Sequence, residues 1–208
     1  MRPTAVPSES RLAEVGRYRS VLIDELDAYL PSGAHEHDMR DRLRAFVAAN
    51  EDCFERTNVA GHVTGSAWIV DAECSAVVLL HHRKLDRWLQ PGGHADGDGD
   101  VRRVALREAV EETGLADLVP ASAGIYDLDV HEIPARGDEP AHLHYDVRYA
   151  FRARRDEAPI VSDESHAVRW VAIAEIEQFA IDDSVRRLAA KSANLRATLA
   201  SSRPARST

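Results

Sequence analysis

The chain has 208 residues, 44% of them hydrophobic and 29% charged, which is typical of a globular domain with a sizeable core. Its net charge of -9 argues against a protein that binds nucleic acid polymers, because such proteins usually carry a basic stripe. No apolar run is long enough to cross a bilayer, and the first residues lack the apolar stretch of a secretion signal. With two cysteines in no paired motif, the sequence predicts a cytoplasmic protein with neither a membrane nor a nucleic acid polymer as partner.

Two helices are predicted ahead of the first strand, over residues 11–30 and 37–49. Apolar residues recur at helical spacing in both, and Pro31 and Gly33 separate them. No pattern in this segment indicates chemistry. Its predicted role is packing against the rest of the chain or contact within a homodimer.

The pattern then changes to strands around one long helix. Runs of β-branched and apolar residues predict strands in 62–70 and 75–82, joined by a turn at Asp71–Cys74. Residues 86–94 (DRWLQPGGH) are predicted to form a tight turn. A helix follows over about 100–113, with Gly114 as its stop. The remaining predictions are strands in 123–133, 142–154 and 167–173, a loop over 134–141, a helix over 183–199 and a disordered tail.

The alternating acidic run DGDGD, residues 96–100, has the first three oxygen ligands of a calcium loop. Such a loop needs glycine at its sixth position and glutamate at its twelfth, where this chain has Val101 and Arg107. We therefore predict that the glycines of this run shape a loop. Asp100 is predicted to cap the helix that follows.

A second acidic cluster lies within that helix. Glu108, Glu111 and Glu112 stand at i, i+3 and i+4 and share an arc of about 100°. Leu106 and Val110 are predicted to point the opposite way and pack on the sheet. Taken alone, such a segment is more typical of a solvated acidic face. The WLQPGG segment just before the helix lets backbone approach a ligand closely, and it favours a site for Mg²⁺ or Mn²⁺, which prefer carboxylate oxygens.

These residues resemble the signature of the Nudix hydrolases, G-x5-E-x7-R-E-U-x-E-E-x-G-U, where U is aliphatic. Gly93 opens the signature here, and Arg107 to Leu115 fill its second half at the right spacing. The lead-in from Trp88 to Gly93 is also similar to the family's. The resemblance implies an α/β fold, a Nudix-type α/β/α sandwich with a mixed β-sheet, to which the N-terminal helices are added. It divides the chain into an N-terminal helical extension, a Nudix domain, and a C-terminal helix with a disordered tail, over 1–57, 58–180 and 181–208.

One position departs from the signature, because Gly99 stands where the family has its first glutamate. In the family that glutamate braces the box, often by pairing with the signature arginine. We take Asp98 or Asp100 as its replacement and expect one of them to pair with Arg107.

The resemblance implies a hydrolase that cleaves a pyrophosphate bond in a nucleoside diphosphate linked to another moiety, by attack of a metal-activated water. The partner is then a small-molecule nucleotide, and the cofactor is Mg²⁺ or Mn²⁺. Glu108, Glu111 and Glu112 are the implied metal ligands and catalytic residues. Arg107 is implied to orient a carboxylate.

A general base is also needed to take the proton of the attacking water. Glu164 lies six residues before Trp170, a place similar to that of a loop glutamate which joins the metal site in some family members. An exposed loop carboxylate explains Glu164 equally well, and Asp163 is the second candidate.

Substrate-binding residues are expected on both sides of Trp88. Arg83, Lys84 and Arg87 can face the phosphates or form a solvated basic loop. Gly92 and Gly93 are expected to bring backbone close to the bound group.

His142 and His144 alternate on one face of a predicted strand, and His94 follows the Pro-Gly-Gly turn. A His-x-His pair can bind zinc or copper, line a pocket or lie exposed. The sequence defines no third ligand, so it favours the two interpretations without a metal.

Two alternatives keep the fold and change the function. One is a catalytically weak Nudix-fold nucleotide-binding or regulatory module, which Gly99 favours and the intact Arg-Glu and Glu-Glu pairs oppose. The other is isoprenoid diphosphate isomerisation, which needs an upstream cysteine motif that Cys53 and Cys74 do not form.

Overall fold

The computed structural model describes residues 9–137 and 140–201. In this part of the chain, eight strands form one sheet, with α-helices on both of its faces. The helices are α1 (Glu9–Ala28), α2 (Ala34–Ala49), α3 (Val101–Thr113) and α4 (Asp183–Ser201), with a 3-10 helix at Ile173–Gln178. The strands are β1 (Gly61–Val70), β2 (Ala76–His82), β3 (Arg87–Leu89), β4 (Gly92–His94), β5 (Val119–Pro120), β6 (Asp127–Ile133), β7 (His142–Arg152) and β8 (Ser165–Ala172).

The sheet is mixed and centred on β1. β1 runs parallel to β7, from the Gly61–Leu143 pair to the Val70–Arg152 pair, and antiparallel to β2 and β4. β2 also pairs with β3 and β8, and β7 with β5 and β6, all antiparallel. Every residue of β1 is buried, as expected of a strand covered on both faces.

Helices on the two faces enclose two hydrophobic cores. On one face, Val63 and Ile69 of β1 pack in the same core as Val104 of α3, Leu26 of α1 and Leu43 of α2. The other face packs against α4, and its side chains include Trp68, Val70, Val185, Leu188 and Leu195. The predicted α/β/α arrangement with a mixed sheet is therefore confirmed, and both N-terminal helices are present. They bury apolar side chains against the sheet, and a homodimer contact stays a prediction.

The prediction of one tight turn over residues 86–94 is wrong in detail. The segment contains β3 and β4, separated by Gln90 and Pro91. Pro91 has no N–H to give to a ladder, but its carbonyl accepts a hydrogen bond from the N–H of Ala67 at 2.8 Å. After β2, the chain first forms β3, which pairs with β2, and then β4, which pairs with β1. In the β1–β4 pair, Gly92 lies opposite Ser66.

Helix α3 begins and ends as predicted. The Asp100 side chain accepts a hydrogen bond from the N–H of Arg103 at 3.1 Å and caps the helix. Gly114 ends it in the left-handed conformation, with a φ of 70°.

The prediction that Leu106 and Val110 pack on the sheet is right for Leu106, which is partly buried against the core, and wrong for Val110, which is exposed. The buried stripe is Val101, Val104, Ala105, Ala109 and Thr113. Gly65 of β1 explains the choice, because a Cβ there would lie 2.8 Å from the carbonyl oxygen of Val101. The helix backbone thus approaches the strand along the stripe that starts at Val101, and Glu108 and Glu112 lie at its border.

Two predicted features fall partly outside the described residues. These are the loop over 134–141, at residues 138 and 139, and the disordered tail, at residues 202–208. Among the described helices, none combines the length and the apolar character that a membrane crossing requires.

Candidate active site

The Pro-Gly-Gly segment and α3 meet at Glu112 and Glu108. The N–H of Gly92 donates a hydrogen bond to Oε2 of Glu112 at 2.9 Å. A Cβ on Gly93 would lie 2.4 Å from Oε2 of Glu108, so only a glycine permits this approach. The two glycines therefore place strand β4 directly against both carboxylates.

Three further carboxylates act electrostatically on Glu112, and we call the four residues the box carboxylates: Glu108, Glu111, Glu112 and Glu164. Burial raises the pKa of Glu112 to about 7, against the opposing effect of the Gly92 N–H. The negative charges of Glu108, Glu164 and Glu111 raise it further. A group of repelling oxygen ligands of this kind matches the donor set that a hard divalent cation requires.

Arg107 lies beside this group and holds one member of it. One of its terminal nitrogens donates to Oε1 of Glu108 at 2.8 Å and to the carbonyl oxygen of His94 at 2.9 Å. The predicted pairing of Arg107 with Asp98 or Asp100 is therefore wrong. Arg103 takes both aspartates instead, because it lies one turn earlier on α3 and forms two hydrogen bonds with Asp98, of 2.5 and 2.9 Å.

The N-terminal helix α1 occupies the space beside Gly99. A Cβ on Gly99 would lie 2.4 Å from Cβ of Tyr18. The same helix places Glu25 within hydrogen-bond distance of the Tyr149 hydroxyl, at 2.6 Å, and of Arg102, at 3.5 Å. The missing signature glutamate thus coincides with the docking of α1 against the loop before α3.

Glu164 lies on the turn that leads into β8, and its side chain is exposed. Arg83 holds this turn, since its N–H donates to the Glu164 carbonyl at 3.1 Å and its Nε to the Ser165 carbonyl at 2.9 Å. Asp163 is also exposed on the same turn. Arg83 therefore holds the backbone of the turn that carries Glu164.

Lys84 and Arg87 are exposed, one in the turn between β2 and β3 and the other at the start of β3. In residues 9–137 and 140–201, neither side chain forms an ion pair with a box carboxylate. Their role in binding phosphate stays a prediction.

The other face of the sheet carries a buried ionic network that the sequence did not predict. Arg148, on β7, is buried and donates to Asp146 at 2.7 Å and to Asp127 and Asp129 at 3.2 Å each. Asp146 also accepts from Thr64 and Ser66, at 3.0 and 2.8 Å. The whole ionic network comprises Glu36, Asp127, Asp129, Asp146, Arg148, Arg187 and Lys191.

A signal for this face exists in the sequence. Polar residues occupy alternate positions in three strands, which places them on one side of the sheet. They are His62, Thr64 and Ser66 in β1, Asp127, Asp129 and His131 in β6, and His142, His144, Asp146 and Arg148 in β7.

A protein-family model, the NUDIX domain, matches residues 62–191. The chain belongs to the Nudix family. Both the predicted family and the enzyme class are thereby confirmed, and the protein is a Nudix pyrophosphohydrolase. Enzymes of this class act on nucleoside diphosphate derivatives.

Individual relatives are more distant from this Nudix protein. A putative 8-oxo-dGTP diphosphatase of Bacillus subtilis (strain 168) is 25% identical over 127 residues, which cover 61% of this chain and 78% of the relative. Among solved structures, the Ap4A hydrolase binary complex of C. elegans is 17% identical with a TM-score of 0.53, covering 65% of this chain and 98% of that one. The Nudix hydrolase RenU of M. smegmatis is 19% identical with a TM-score of 0.49, covering 71% and 91%.

Neither cysteine of this Nudix protein is suited to act as a nucleophile. Both are buried and free. Burial raises the pKa of Cys53 to about 12, and burial also raises the pKa of Cys74. Both thiols are therefore protonated near neutral pH, which agrees with the prediction that no cysteine serves an isomerase reaction.

Proposed function

We propose that this Nudix hydrolase cleaves the pyrophosphate bond of a nucleotide or nucleotide-sugar substrate with the help of Mg²⁺ or Mn²⁺. The metal ligands in this proposal are Glu108, Glu111 and Glu112. The observation that carries it is the environment of Glu112. Its half-buried carboxylate is held by the Gly92 N–H and lies among three further carboxylates. The mutual repulsion of these carboxylates destabilises the folded protein, and a bound cation would remove that repulsion.

When bound, a divalent cation would neutralise phosphate oxygens and acidify a coordinated water. Each protein group then has a distinct task. Glu112 is fixed in orientation by Gly92. Arg107 joins Glu108 to strand β4 through the His94 carbonyl, so it positions a ligand without touching substrate. Glu111 is the most exposed of the three, with 62% of its side chain accessible to solvent.

We assign the general base to Glu164, with Asp163 as the second candidate. The support is that Glu164 influences Glu112 electrostatically and stands on a turn held by Arg83. Both side chains are exposed, so a carboxylate here can take a proton from water and release it to solvent.

The substrate class rests on the family and on the names of its relatives. The relatives named above are a putative 8-oxo-dGTP diphosphatase and an Ap4A hydrolase, so oxidised nucleoside triphosphates and dinucleoside polyphosphates join ADP-ribose and coenzyme A as candidates. Arg83, Lys84 and Arg87, together with the backbone of Gly92 and Gly93, are proposed to contact the phosphates. A cytoplasmic location and a homodimer stay predictions.

A hydrolysis screen over these four substrate classes tests the proposal. Release of nucleoside monophosphate or phosphate is measured with Mg²⁺, with Mn²⁺ and with a chelator. Wild type is compared with Glu112→Gln and with Glu132→Gln, a matched control at an exposed position near the end of β6. We expect metal-dependent turnover that Glu112→Gln abolishes and Glu132→Gln keeps. Metal binding without hydrolysis of any substrate would favour the alternative, a catalytically weak nucleotide-binding or regulatory module.

A further inference from the structure

Five histidines gather on the sheet face that carries the ionic network, at the end where β1 begins. In the strand register, His62 of β1 lies opposite His144 of β7, and His144 lies opposite His131 of β6. His142 follows on the same face of β7, and His94 of β4 lies opposite Thr64 of β1. The ring centroids of His62 are 4.9 to 5.0 Å from those of His94, His142 and His144. We call these five residues the histidine face.

Three members of the histidine face bring their ligand atoms together. One ring nitrogen from each of His62, His142 and His144 lies within 4.8 Å of the other two. Nε2 of His142 and Nε2 of His144 are 3.3 Å apart. Two nitrogens that bind one tetrahedral zinc ion at about 2.0–2.1 Å are separated by about 3.3–3.4 Å, so this pair already has the spacing of two ligands.

A backbone contact orients one of these rings. Nδ1 of His142 lies 2.9 Å from the carbonyl oxygen of Pro140. A carbonyl only accepts, so Nδ1 carries the proton and the neutral ring presents its Nε2 lone pair toward His144. Metal-binding histidines are commonly oriented in this way, by donating the other ring N–H to a carbonyl or a carboxylate.

The surroundings also suit neutral imidazole ligands. His62 and His142 are buried, with 2% and 7% of their surfaces exposed. His144 is half-buried, with its ring against those of His62 and His142. Neutral rings keep the lone pair that a metal needs.

We propose that His62, His142 and His144 form a binding site for a divalent transition metal of the zinc class. His94 or a water molecule would take the fourth position. The site is chemically distinct from the box carboxylates, because imidazole nitrogens suit zinc-like ions and carboxylate oxygens suit Mg²⁺. It would join β1 to β7, and through His94 it would also hold β4, whose His94 carbonyl binds Arg107.

Cobalt titration tests this site, since four-coordinate Co²⁺ absorbs visible light far more strongly than six-coordinate Co²⁺. Chelator-treated wild-type protein is titrated with Co²⁺, and Zn²⁺ is then added as competitor. We expect one equivalent of Co²⁺ with the strong four-coordinate absorption, lost when Zn²⁺ replaces it. A wild-type protein that shows only the weak six-coordinate spectrum, or no binding, would overturn the proposal and leave the rings hydrogen-bonded to one another.

Variants then assign the ligands, with circular dichroism to check that each is folded. His142→Gln and His144→Gln should each weaken Zn²⁺ binding by more than about 100-fold, since changes outside the ligand shell alone cost about 10–100-fold. His37→Gln, an exposed histidine on α2, is the matched control and should bind as wild type does. Glu112→Gln should also keep the site, which separates this proposal from that of the carboxylate metal site. If both histidine variants bind Zn²⁺ as tightly as wild type does, the proposal is wrong. Should these variants fail to fold, the wild-type cobalt spectrum decides.

Discussion

The box carboxylates and the ionic network are both dense in acidic side chains, but they differ in the cations beside them. The four box carboxylates have Arg107 beside them, which pairs with Glu108 at 2.8 Å and with Glu111 at 4.0 Å. The four carboxylates of the ionic network have three cations among them: Arg148, Arg187 and Lys191. The pKa values respond in opposite directions. The pKa of Glu112 rises to about 7, whereas the pKa of Glu36 falls to about 2.

Burial alone does not explain this difference, because it disfavours the ionised carboxylate in both places. At Asp129, burial is outweighed by the hydrogen bond from His131 and the charges of Arg148 and Arg187, so its pKa is lowered. At Glu112, burial and neighbouring carboxylates act together. A buried acidic group with matched cations therefore serves structure, and one with unmatched charge indicates a site that expects a cation from solution.

The largest effect should come from removing the unmatched charge that is most enclosed. Glu112→Gln is expected to lower kcat/KM by about 10⁴-fold, equivalent to about 5 kcal/mol, because both a ligand and its charge are lost. Glu111→Gln is expected to cost only about tenfold, since an exposed carboxylate acts through a more polar medium. Steady-state kinetics with Mg²⁺ measures both. Equal losses of kcat/KM in the two variants would contradict the idea that the more buried carboxylate contributes more to catalysis.

Removing the central cation of the ionic network should instead lower stability. Arg148→Met leaves Asp127, Asp129 and Asp146 with less compensation in a buried site, and we expect a loss of about 3–5 kcal/mol in the free energy of unfolding. Urea titration followed by circular dichroism measures this loss. The matched control is Arg186→Met, whose partners are exposed, and it should leave the free energy of unfolding close to that of wild type. A small effect at Arg148 would mean that the network is not structural.

As the pH falls, the protein should lose the stability that the ionic network contributes before the apolar cores are affected. Burial opposes ionisation of Glu36, but hydrogen bonds from Tyr29, Ser32 and Lys191 outweigh it and lower its pKa from 4.5 to about 2. A lowered pKa stabilises the folded state above the unfolded-state value, and this contribution is lost as the pH falls from about 4.5 to about 2. We expect Glu36→Gln to cost about 3 kcal/mol at pH 7, and the gap to wild type to shrink across that pH range. A gap that is constant with pH would contradict this origin. Unfolding curves at several pH values provide the measurement.

Much of this architecture follows from local sequence pattern. Runs of β-branched and apolar residues located β1 and β2, and the spacing from Arg107 to Leu115 placed three glutamates on one helix. The cap at Asp100 and the stop at Gly114 are local as well. Patterns of this kind depend on residues within a few positions of one another, which is why one sequence suffices to find them.

Features that depend on contacts between residues far apart in the chain could not be predicted from local sequence patterns. The buried face of α3 is selected by Gly65, which lies about 40 positions earlier in the chain. Arg107 finds its backbone partner in His94 because β4 forms a strand where a turn was predicted. His62 stands opposite His144 only through the parallel pairing of β1 with β7, so the third histidine ligand is invisible to local spacing.

The variant with the smallest expected effect tests whether the docking of α1 influences the box carboxylates or, like the ionic network, contributes only to stability. Gly99→Ala would push a methyl group into Tyr18, and we expect a loss of about 1–2 kcal/mol in stability, in the range typical of overpacking. Gly16→Ala, within α1, is the matched control: nothing lies within 4 Å of its added Cβ, so it should stabilise the protein by up to about 1 kcal/mol. Thermal unfolding measures both, and kcat/KM of the folded protein is measured beside it. Since Arg107 is held by Glu108 and His94, Gly99→Ala should leave kcat/KM within about twofold of wild type. A large fall in kcat/KM would show instead that α1 positions the box carboxylates through the loop before α3.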